Sequence, residues 1–360
     1  MRQLGFLGLC LLLTVGWGDI SFSGSSSAGM GGAGIAVLRR PERQASLNPA
    51  AVAYVKSFRI GAGSIDTSAR GASLRTLIDD LDVGSGSAAD LATTASLLRK
   101  FARRDTQLVL TGDLGLFANG FGISVGGLLD ARLLPNEALR TWARTDGNPA
   151  TIPNTARGDL IAVSAFSLPD VTAGVRFTAD DGELAVGAKI RFLRFYYTHY
   201  LAQGAQLQGN AGVRAPELQG RNYIERSATG IDLGFIWRPA GNATYTIAGV
   251  IENFVEPNVR FEATDRDGQV FRFKPFERTY HLGVAFDLET GTLFVMDLVD
   301  IGNNAGRGEI RAGVEQRFGR FALRTGYASR TGWTAGVGLG GFNLAYSEQF
   351  PVVVSRTLKF

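Results

Sequence analysis

The chain has very little cysteine or histidine. Cys10 is the only cysteine, and His199 and His281 are the only two histidines, in a sequence of 360 residues. Zinc sites are usually built from closely spaced Cys and His ligands, whereas these two histidines lie far apart on different predicted strands. Cys10 falls inside a predicted export signal, so the mature chain would carry neither a thiol nor a disulfide. We therefore predict no metal-binding residue and no disulfide-stapled fold.

Charged residues and long apolar runs are also scarce. Asp, Glu, Lys and Arg make up 19% of the chain, below the roughly 25% usual in soluble domains. No apolar run after the N-terminus reaches the length of about 20 residues that a transmembrane helix needs. The net charge of +4 is scattered without a block of one sign, which argues against a nucleic-acid partner. Glycine, by contrast, is abundant at 47 residues.

Motifs of catalytic or cofactor chemistry are lacking as well. No serine lies in a Gly-x-Ser-x-Gly elbow between a strand and a helix, and no lysine-containing phosphate loop is present. Gly29, Gly31 and Gly34 formally match G-x-G-x-x-G, but neither an apolar strand nor a βαβ unit surrounds them. Catalysis by His199 or His281 would need a nearby Ser or Asp, and the spacing of residues in the sequence does not show whether one lies close in the fold. We predict that the protein is not an enzyme, with no catalytic residue and no cofactor.

The N-terminus has the pattern of a secretory signal peptide over residues 1–18. Arg2 supplies the positive charge, Leu4–Val15 is the apolar core, and Gly16 and Gly18 are the small residues before a cleavage site. An anchor helix is the alternative, and the short apolar core argues against it. Export without disulfides indicates the envelope of a diderm, Gram-negative-type bacterium.

Apolar and polar positions alternate along most of the mature sequence. Within the segment Glu183–Phe195, every second residue from Leu184 to Phe192 is apolar and the residues between them are small or charged. A strand turns alternate side chains to opposite faces. The pattern recurs downstream between glycine-containing turns, and it predicts a barrel that closes in a lipid bilayer, with the apolar set outward. In this segment the apolar set is Leu184, Val186, Ala188, Ile190 and Phe192.

Fourteen antiparallel strands are predicted over residues 54–360. This number counts Arg157–Thr178 as one long strand, although Pro169 within it would fit an edge strand or a bulge. An even number puts both termini on the periplasmic side, as in single-chain bacterial barrels, whereas splitting the segment gives fifteen. A helical insertion is predicted between the first two strands, with long extracellular loops further on. The insertion covers residues 72–104, and the loops cover 130–156, 201–220 and 255–277.

Several short motifs resemble those of one protein family. A glycine-rich start at Gly29–Gly34 is followed by Leu47–Ala51, with the sequence Leu-Asn-Pro-Ala-Ala, then by an Asp-rich helix at Leu77–Asp82 and a terminal Phe360. With these motifs the chain resembles the FadL/TodX-like outer-membrane barrels, and most of all their TraF-like and PorV-like branches. The resemblance implies fourteen strands with residues 19–53 folded inside as a hatch. Its suggested hatch residues are Gly29, Gly31, Gly32, Gly34, Asn48 and Pro49.

The polar positions of the strands carry charges of both signs. Two interpretations remain open: a self-paired ion network that braces the barrel interior, or a water-filled path with weak ion selectivity. We favour bracing, because a hatch would occupy the lumen. The predicted lumen-facing charges are Lys189, Arg191, Asp232, Asp287, Glu309, Arg311, Glu315 and Arg317.

The resemblance implies a transport function in the outer membrane. It implies passage of a hydrophobic small molecule that binds beside the hatch, with Pro169 as a candidate kink in the barrel wall. The alternative is a secretion or conjugation accessory barrel that binds an envelope protein partner. Membrane lipid and, during biogenesis, the barrel assembly machinery are further expected partners, and nucleic acid is not. A soluble periplasmic β-sandwich would not account for Phe360 or for the outward apolar sets.

Overall fold

The computed structural model describes eleven stretches of the chain. The predicted signal peptide, almost all of the predicted helical insertion at 72–104 and the terminal Phe360 lie outside these stretches. The described residues are 29–70, 102–103, 106–145, 151–204, 224–241, 244–264, 270–273, 276–306, 308–340, 342–347 and 353–357.

Strands make up most of the described residues, and the all-β, antiparallel class predicted from the sequence is confirmed. The strands are β1 Arg59–Arg70, β2 Thr106–Ala118, β3 Phe121–Pro135, β4 Arg157–Ala179, β5 Gly182–Gln203, β6 Ile224–Pro239, β7 Tyr245–Val255, β8 Phe261–Thr264, β9 Val270–Phe273, β10 Thr279–Asp287, β11 Thr292–Val299, β12 Glu309–Phe318, β13 Phe321–Ala328, β14 Gly332–Leu339, β15 Phe342–Ser347 and β16 Val353–Thr357.

Within the described stretches, helices are few and short. They are α1 at Pro41–Gln44, a 3₁₀ helix at Pro49–Tyr54 and α2 at Glu137–Thr145. Within the described ranges, no helix has the length and apolar character needed to cross a membrane.

Fourteen of these strands pair in one continuous antiparallel ring. Neighbours in sequence pair with each other, β7 pairs with β10, and β1 pairs with both β2 and β16. The remaining strands, β8 and β9, form a separate hairpin in the connection between β7 and β10. Because β1 meets β16, this arrangement gives the main sheet no long row of unpaired N–H and C=O groups at an edge.

The ring turns its apolar side chains outward. Leu184 and Phe192 on β5 are 41% and 46% exposed, whereas the intervening Lys189 and Arg191 are 5% and 4% exposed. The same alternation continues along β13, where every second residue from Phe321 to Ala328 is buried. The faces predicted from the period-2 pattern are therefore the faces observed.

The connections differ in length between the two ends of the ring. One end, called here the short-turn end, has tight hairpins such as Asn119–Gly120, where both residues have positive φ angles of 47° and 81°. This is the hairpin turn that the Asn-Gly pair predicts. The opposite end, called here the long-loop end, carries α2 and the hairpin of β8 and β9.

The first strand starts later than predicted. It begins at Arg59 rather than Tyr54, because Pro49–Tyr54 forms the 3₁₀ helix. The Asn48 side chain caps this helix, since its Oδ1 accepts a hydrogen bond from the Ala50 N–H at 3.0 Å. An Asn-Pro pair is a helix-start signal, which the loose alternation after Tyr54 obscured.

The predicted loop boundaries also need correction. The loop predicted at 130–156 begins after Pro135 and contains α2, and the loop predicted at 201–220 begins after Gln203. The loop predicted at 255–277 contains β8 and β9, and Val255 still belongs to β7. Strand pairing is a main-chain interaction, so it continues past the point where the apolar alternation ends.

The segment around Pro169 is a single strand with a bulge. In β4, Ser167 and Asp170 keep their partners on both neighbouring strands, and the register shifts between them. Leu168 and Pro169 lie in this shift, so two residues of β4 stand opposite one residue on β3 and one on β5. A proline is tolerated at such a place because a bulged residue donates no ladder hydrogen bond.

Candidate functional site

The N-terminal segment, residues 29–55, lies inside the ring and is called here the lumenal segment. Its small and apolar residues form one buried cluster with inward-facing side chains of the wall. The buried members are Met30, Ala33, Ala36, Val37, Ala50 and Ala51 of the segment with Ala185, Ile236, Ala248, Ala285, Leu293 and Val295 of the wall.

Glycines let the main chain of the lumenal segment approach the wall closely. A Cβ atom on Gly326 of β13 would lie 2.3 Å from the Met30 carbonyl carbon. On the opposite side, a Cβ atom on Gly187 of β5 would lie 2.5 Å from the Pro49 carbonyl oxygen. Such distances exclude any side chain, so these wall glycines are required for the contact.

Hydrogen bonds to wall side chains hold the first part of the lumenal segment. The Asp297 Oδ2 atom accepts hydrogen bonds from the N–H groups of Gly34 at 2.6 Å and Ile35 at 3.2 Å. Gly31 donates its N–H to Thr334 Oγ1 at 2.9 Å. Asp297 is 1% exposed, so it is a buried acceptor dedicated to this main chain.

An ion cluster at the short-turn end holds Arg39. Glu315 accepts hydrogen bonds from Arg39 Nη1 at 2.8 Å, Arg317 Nε at 2.6 Å and Arg324 Nε at 2.6 Å. Arg39 also pairs with Asp287, with one bond at 2.7 Å from Nε. Glu315 is 1% exposed, so its carboxylate is buried among three guanidinium groups.

A second ion cluster lies on the inner face of β5 and β6. Asp232 accepts a hydrogen bond from Arg191 Nη2 at 2.7 Å and from the Asn253 N–H at 2.8 Å, and it lies 3.5 Å from Lys189 Nζ. Lys189 in turn donates to the Ser46 carbonyl oxygen of the lumenal segment at 2.8 Å. This cluster therefore also touches the segment, through a lysine.

The eight predicted lumen-facing charges fall into three groups on the inner side of the ring. Lys189, Arg191 and Asp232 form the cluster just described, and Asp287, Glu315 and Arg317 belong to the cluster around Arg39. Glu309 and Arg311 form a third group, with 2.6 Å between Oε2 and Nε. Each group contains positive and negative side chains in contact with each other. Such contacts are the ones expected if the charges form a self-paired network that braces the barrel interior.

The predicted hatch residues are spread along the lumenal segment. Gly31 and Gly34 donate to wall side chains, and Gly32 lies beside the Arg311 side chain. Asn48 is fully buried, and its Nδ2 group donates to the Phe235 carbonyl oxygen at 3.1 Å. Gly29 lies against β13 and β14, and Pro49 against β5.

The 3₁₀ helix of the lumenal segment packs against the strand that carries the bulge, five residues further along it. A Cβ atom on Gly174 of β4 would lie 3.0 Å from Val52 Cγ1 and 3.3 Å from the Ala53 nitrogen. Pro169 and Leu168 are exposed on the outer side, with Leu168 at 57%. The candidate kink and the helix contact therefore share β4, at different heights of the wall.

Comparison with known proteins gives the family. The model of the family described as "F plasmid transfer operon, TraF, protein" matches residues 45–341. The chain belongs to this family. A comparison with curated protein sequences found no match.

Solved structures share the fold of this TraF-family chain. The "TodX monoaromatic hydrocarbon channel deltaS2 mutant" is 13% identical, with a TM-score of 0.51 over 95% of this chain and 100% of that chain. The "CymD monoaromatic hydrocarbon channel" is 11% identical, with a TM-score of 0.49 over 94% of this chain and 98% of that chain. The TraF-like resemblance predicted from the sequence motifs is confirmed by the family model, and the TodX structure has the same barrel fold.

Sequence reasoning did not identify several other polar residues that contact the lumenal segment or lie near it. Asp297 lies at an inward position of an otherwise apolar strand. Its place in the alternation could have identified it as a lumen-facing carboxylate. Arg39 lies in a stretch without periodicity, so nothing in the sequence indicated its partners. His281 lies 2.8 Å from Thr279 Oγ1 and 3.6 Å from Glu252 Oε2. In the part of the chain that the structure describes, no group of three or more His, Cys, Asp or Glu could hold a metal ion.

Proposed function

We propose that this TraF-family chain is an outer-membrane channel through which small hydrophobic molecules pass, and that the lumenal segment is its hatch. The observation that carries the proposal is the packing of the 3₁₀ helix, Pro49–Tyr54, against the inner face of β4 and β5, since β4 is also the strand that carries the bulge. A shift of this helix would open the lumen on the side where the wall is already interrupted.

The outer surface of the ring suits a lipid bilayer. Aromatic side chains are exposed near both ends of neighbouring strands, with Trp333 and Tyr327 towards the long-loop end and Phe318 and Phe342 towards the short-turn end. Between them the exposed residues are aliphatic, such as Leu323. Two aromatic girdles around an apolar band are typical of outer-membrane barrels, and apolar surface of this extent marks a membrane or partner interface.

The bulge suits a sideways exit for an apolar molecule. Its two residues, Leu168 and Pro169, lie outside the ladder on both sides, so fewer main-chain hydrogen bonds hold the wall together there. A molecule that left the lumen at this point would enter the lipid directly. The name of the TodX structure describes a monoaromatic hydrocarbon channel, which supports the same substrate class for this chain.

A disulfide between the hatch and the wall tests the proposal. Val52→Cys with Gly174→Cys would put two thiols at a separation suited to a disulfide, because the Gly174 Cβ position is 3.0 Å from Val52 Cγ1 and bonded cysteines have Cβ atoms about 4 Å apart. Proteoliposomes carrying the oxidised double variant should take up a hydrophobic aromatic probe at least tenfold more slowly than wild type. Reduction should restore the rate.

The two single-cysteine variants serve as matched controls, since each carries the same change in packing without the bond. Their uptake should not respond to oxidant. Uptake that stays at the wild-type rate in the oxidised double variant, with the bond verified by mass spectrometry, would show that the hatch does not need to move at this point.

A second candidate function is an accessory barrel that presents its loops to an envelope protein. The observation that favours it is a small packed core at the long-loop end, where Leu139 and Trp142 of α2 are buried with Ala102, Ile152 and Ala156. An ordered cap of this kind offers a fixed surface. Crosslinking of intact cells followed by purification distinguishes the two functions: a reproducible protein partner that depends on α2 supports the accessory function, and a co-purified apolar ligand supports the channel.

A further inference from the structure

A cavity lies between the lumenal segment and the wall at the short-turn end. Its volume is about 190 Å³, many times what one water molecule needs. The turns after β12 and after β14 form its rim, through Gly319 and Gly340. It is a different place from the bulge of β4, which lies across the ring.

Arginine dominates the charged lining of this cavity. Six arginines line it, against one carboxylate, Glu315. Three further carboxylates lie nearby: Asp287 pairs with Arg39, and the charges of Glu42 and Asp113 raise the pKa of Arg43. They do not cancel the excess of positive charge, because six arginines then face four carboxylates. The arginines are Arg39, Arg40 and Arg43 of the lumenal segment and Arg317, Arg320 and Arg324 of the wall.

Two of these guanidinium groups have no hydrogen-bond acceptor in the part of the chain that the structure describes. Among the described residues, none accepts a hydrogen bond from the side chain of Arg40 or of Arg320, whereas Arg39, Arg317 and Arg324 bind Glu315. Burial and the charge of Arg40 lower the pKa of Arg43 to about 10. At a pKa of about 10 the Arg43 group stays charged at neutral pH.

We propose that this cavity binds a phosphate group and that the bound phosphate links the lumenal segment to the wall. A guanidinium presents a planar fork of donors that matches phosphate oxygens, and several forks from two directions can bind one phosphate together. Arg40 approaches from the segment and Arg320 from the turn after β12. The phosphate could belong to a free anion or to a lipid headgroup, since Phe321 and Leu339 at the rim are also exposed on the outer surface.

Direct binding measurements on the exported protein in a phosphate-free detergent test this proposal. Equilibrium dialysis with radiolabelled inorganic phosphate gives the affinity for the free anion, and native mass spectrometry gives the amount of retained phospholipid. Arg40→Gln with Arg320→Gln should weaken binding at least tenfold in whichever measurement detects it. The matched control is Arg226→Gln with Arg260→Gln, which removes two exposed arginines towards the long-loop end, and it should bind like wild type.

The outcomes separate the sources of the phosphate and can overturn the proposal. Loss of phosphate binding without retained lipid supports a free anion, and loss of a retained phospholipid supports a headgroup. Equal binding by the pocket variant and the control, or no binding of either ligand by wild type, overturns the proposal. Heat-modifiable gel migration verifies that each variant forms the barrel. The result does not depend on passage of any molecule, so it can fail or succeed independently of the channel function.

Discussion

The lumenal segment meets two sides of the ring in different ways. On one side, β10 to β14, its partners are carboxylates: Asp297 accepts two main-chain N–H groups, and Asp287 and Glu315 bind Arg39. On the other side, β4 to β6, the 3₁₀ helix packs against glycines, and the polar bonds go from Asn48 and Lys189 to main-chain carbonyls. We call these the anchored side and the packed side.

The difference indicates which side would move. Hydrogen bonds to charged groups contribute about 1.5–3 kcal/mol, against about 0.5–1.5 kcal/mol for neutral ones, and the anchored side has more of them. A hatch that opens would therefore remain attached at β10 to β14 and leave the wall at β4 and β5, on the side that carries the bulge. Substitutions on the two sides should then affect different measurements.

The strongest test of the anchored side removes the charge of Glu315. Glu315→Gln leaves three arginines around a neutral amide in a buried site, and breaking a buried ion cluster costs about 3–5 kcal/mol. We expect a large drop in the urea concentration at which the barrel unfolds in detergent. Glu289→Gln makes the same change in an exposed turn and should unfold like wild type. Equal stability of the two variants would mean that this cluster does not anchor the segment.

A smaller effect is expected at Asp297. Asp297→Asn keeps one oxygen acceptor but removes the charge that strengthens the bonds from Gly34 and Ile35, a loss of about 1 kcal/mol. Hydrogen exchange should become faster at these two amides and stay unchanged along the 3₁₀ helix. The control is Asp180→Asn in the exposed turn after β4. Faster exchange over the whole lumenal segment would contradict two separately attached sides.

How much of this could be predicted differs between wall and lumen. The wall follows from local rules: alternation placed Leu184 outside and Lys189 inside, and Asn119–Gly120 marked its hairpin. The lumen depends on contacts between residues distant in sequence. The alternation along β6 predicts that Asp232 faces inward. Its contacts with both Arg191 and Asn253 depend on a shift of register between β6 and β7, and no local sequence pattern indicates such a shift. The extent of β3 and β5 was underestimated because main-chain pairing needs no apolar pattern.

The smallest effect on stability, and the clearest separation of the two sides, is expected at Pro169. Pro169→Ala changes an exposed side chain in a bulge without ladder hydrogen bonds on either side, and exposed changes of this kind usually stay within about 0.5 kcal/mol. If the bulge is the exit, an alanine that lets the strand repair its pairing should slow uptake of the aromatic probe. Pro153→Ala in the exposed loop after α2 should leave uptake unchanged. Equal uptake by wild type and Pro169→Ala would show that the bulge is not the exit for the aromatic probe. The proposal that the packed side moves while the anchored side stays in place would then lose its support at β4.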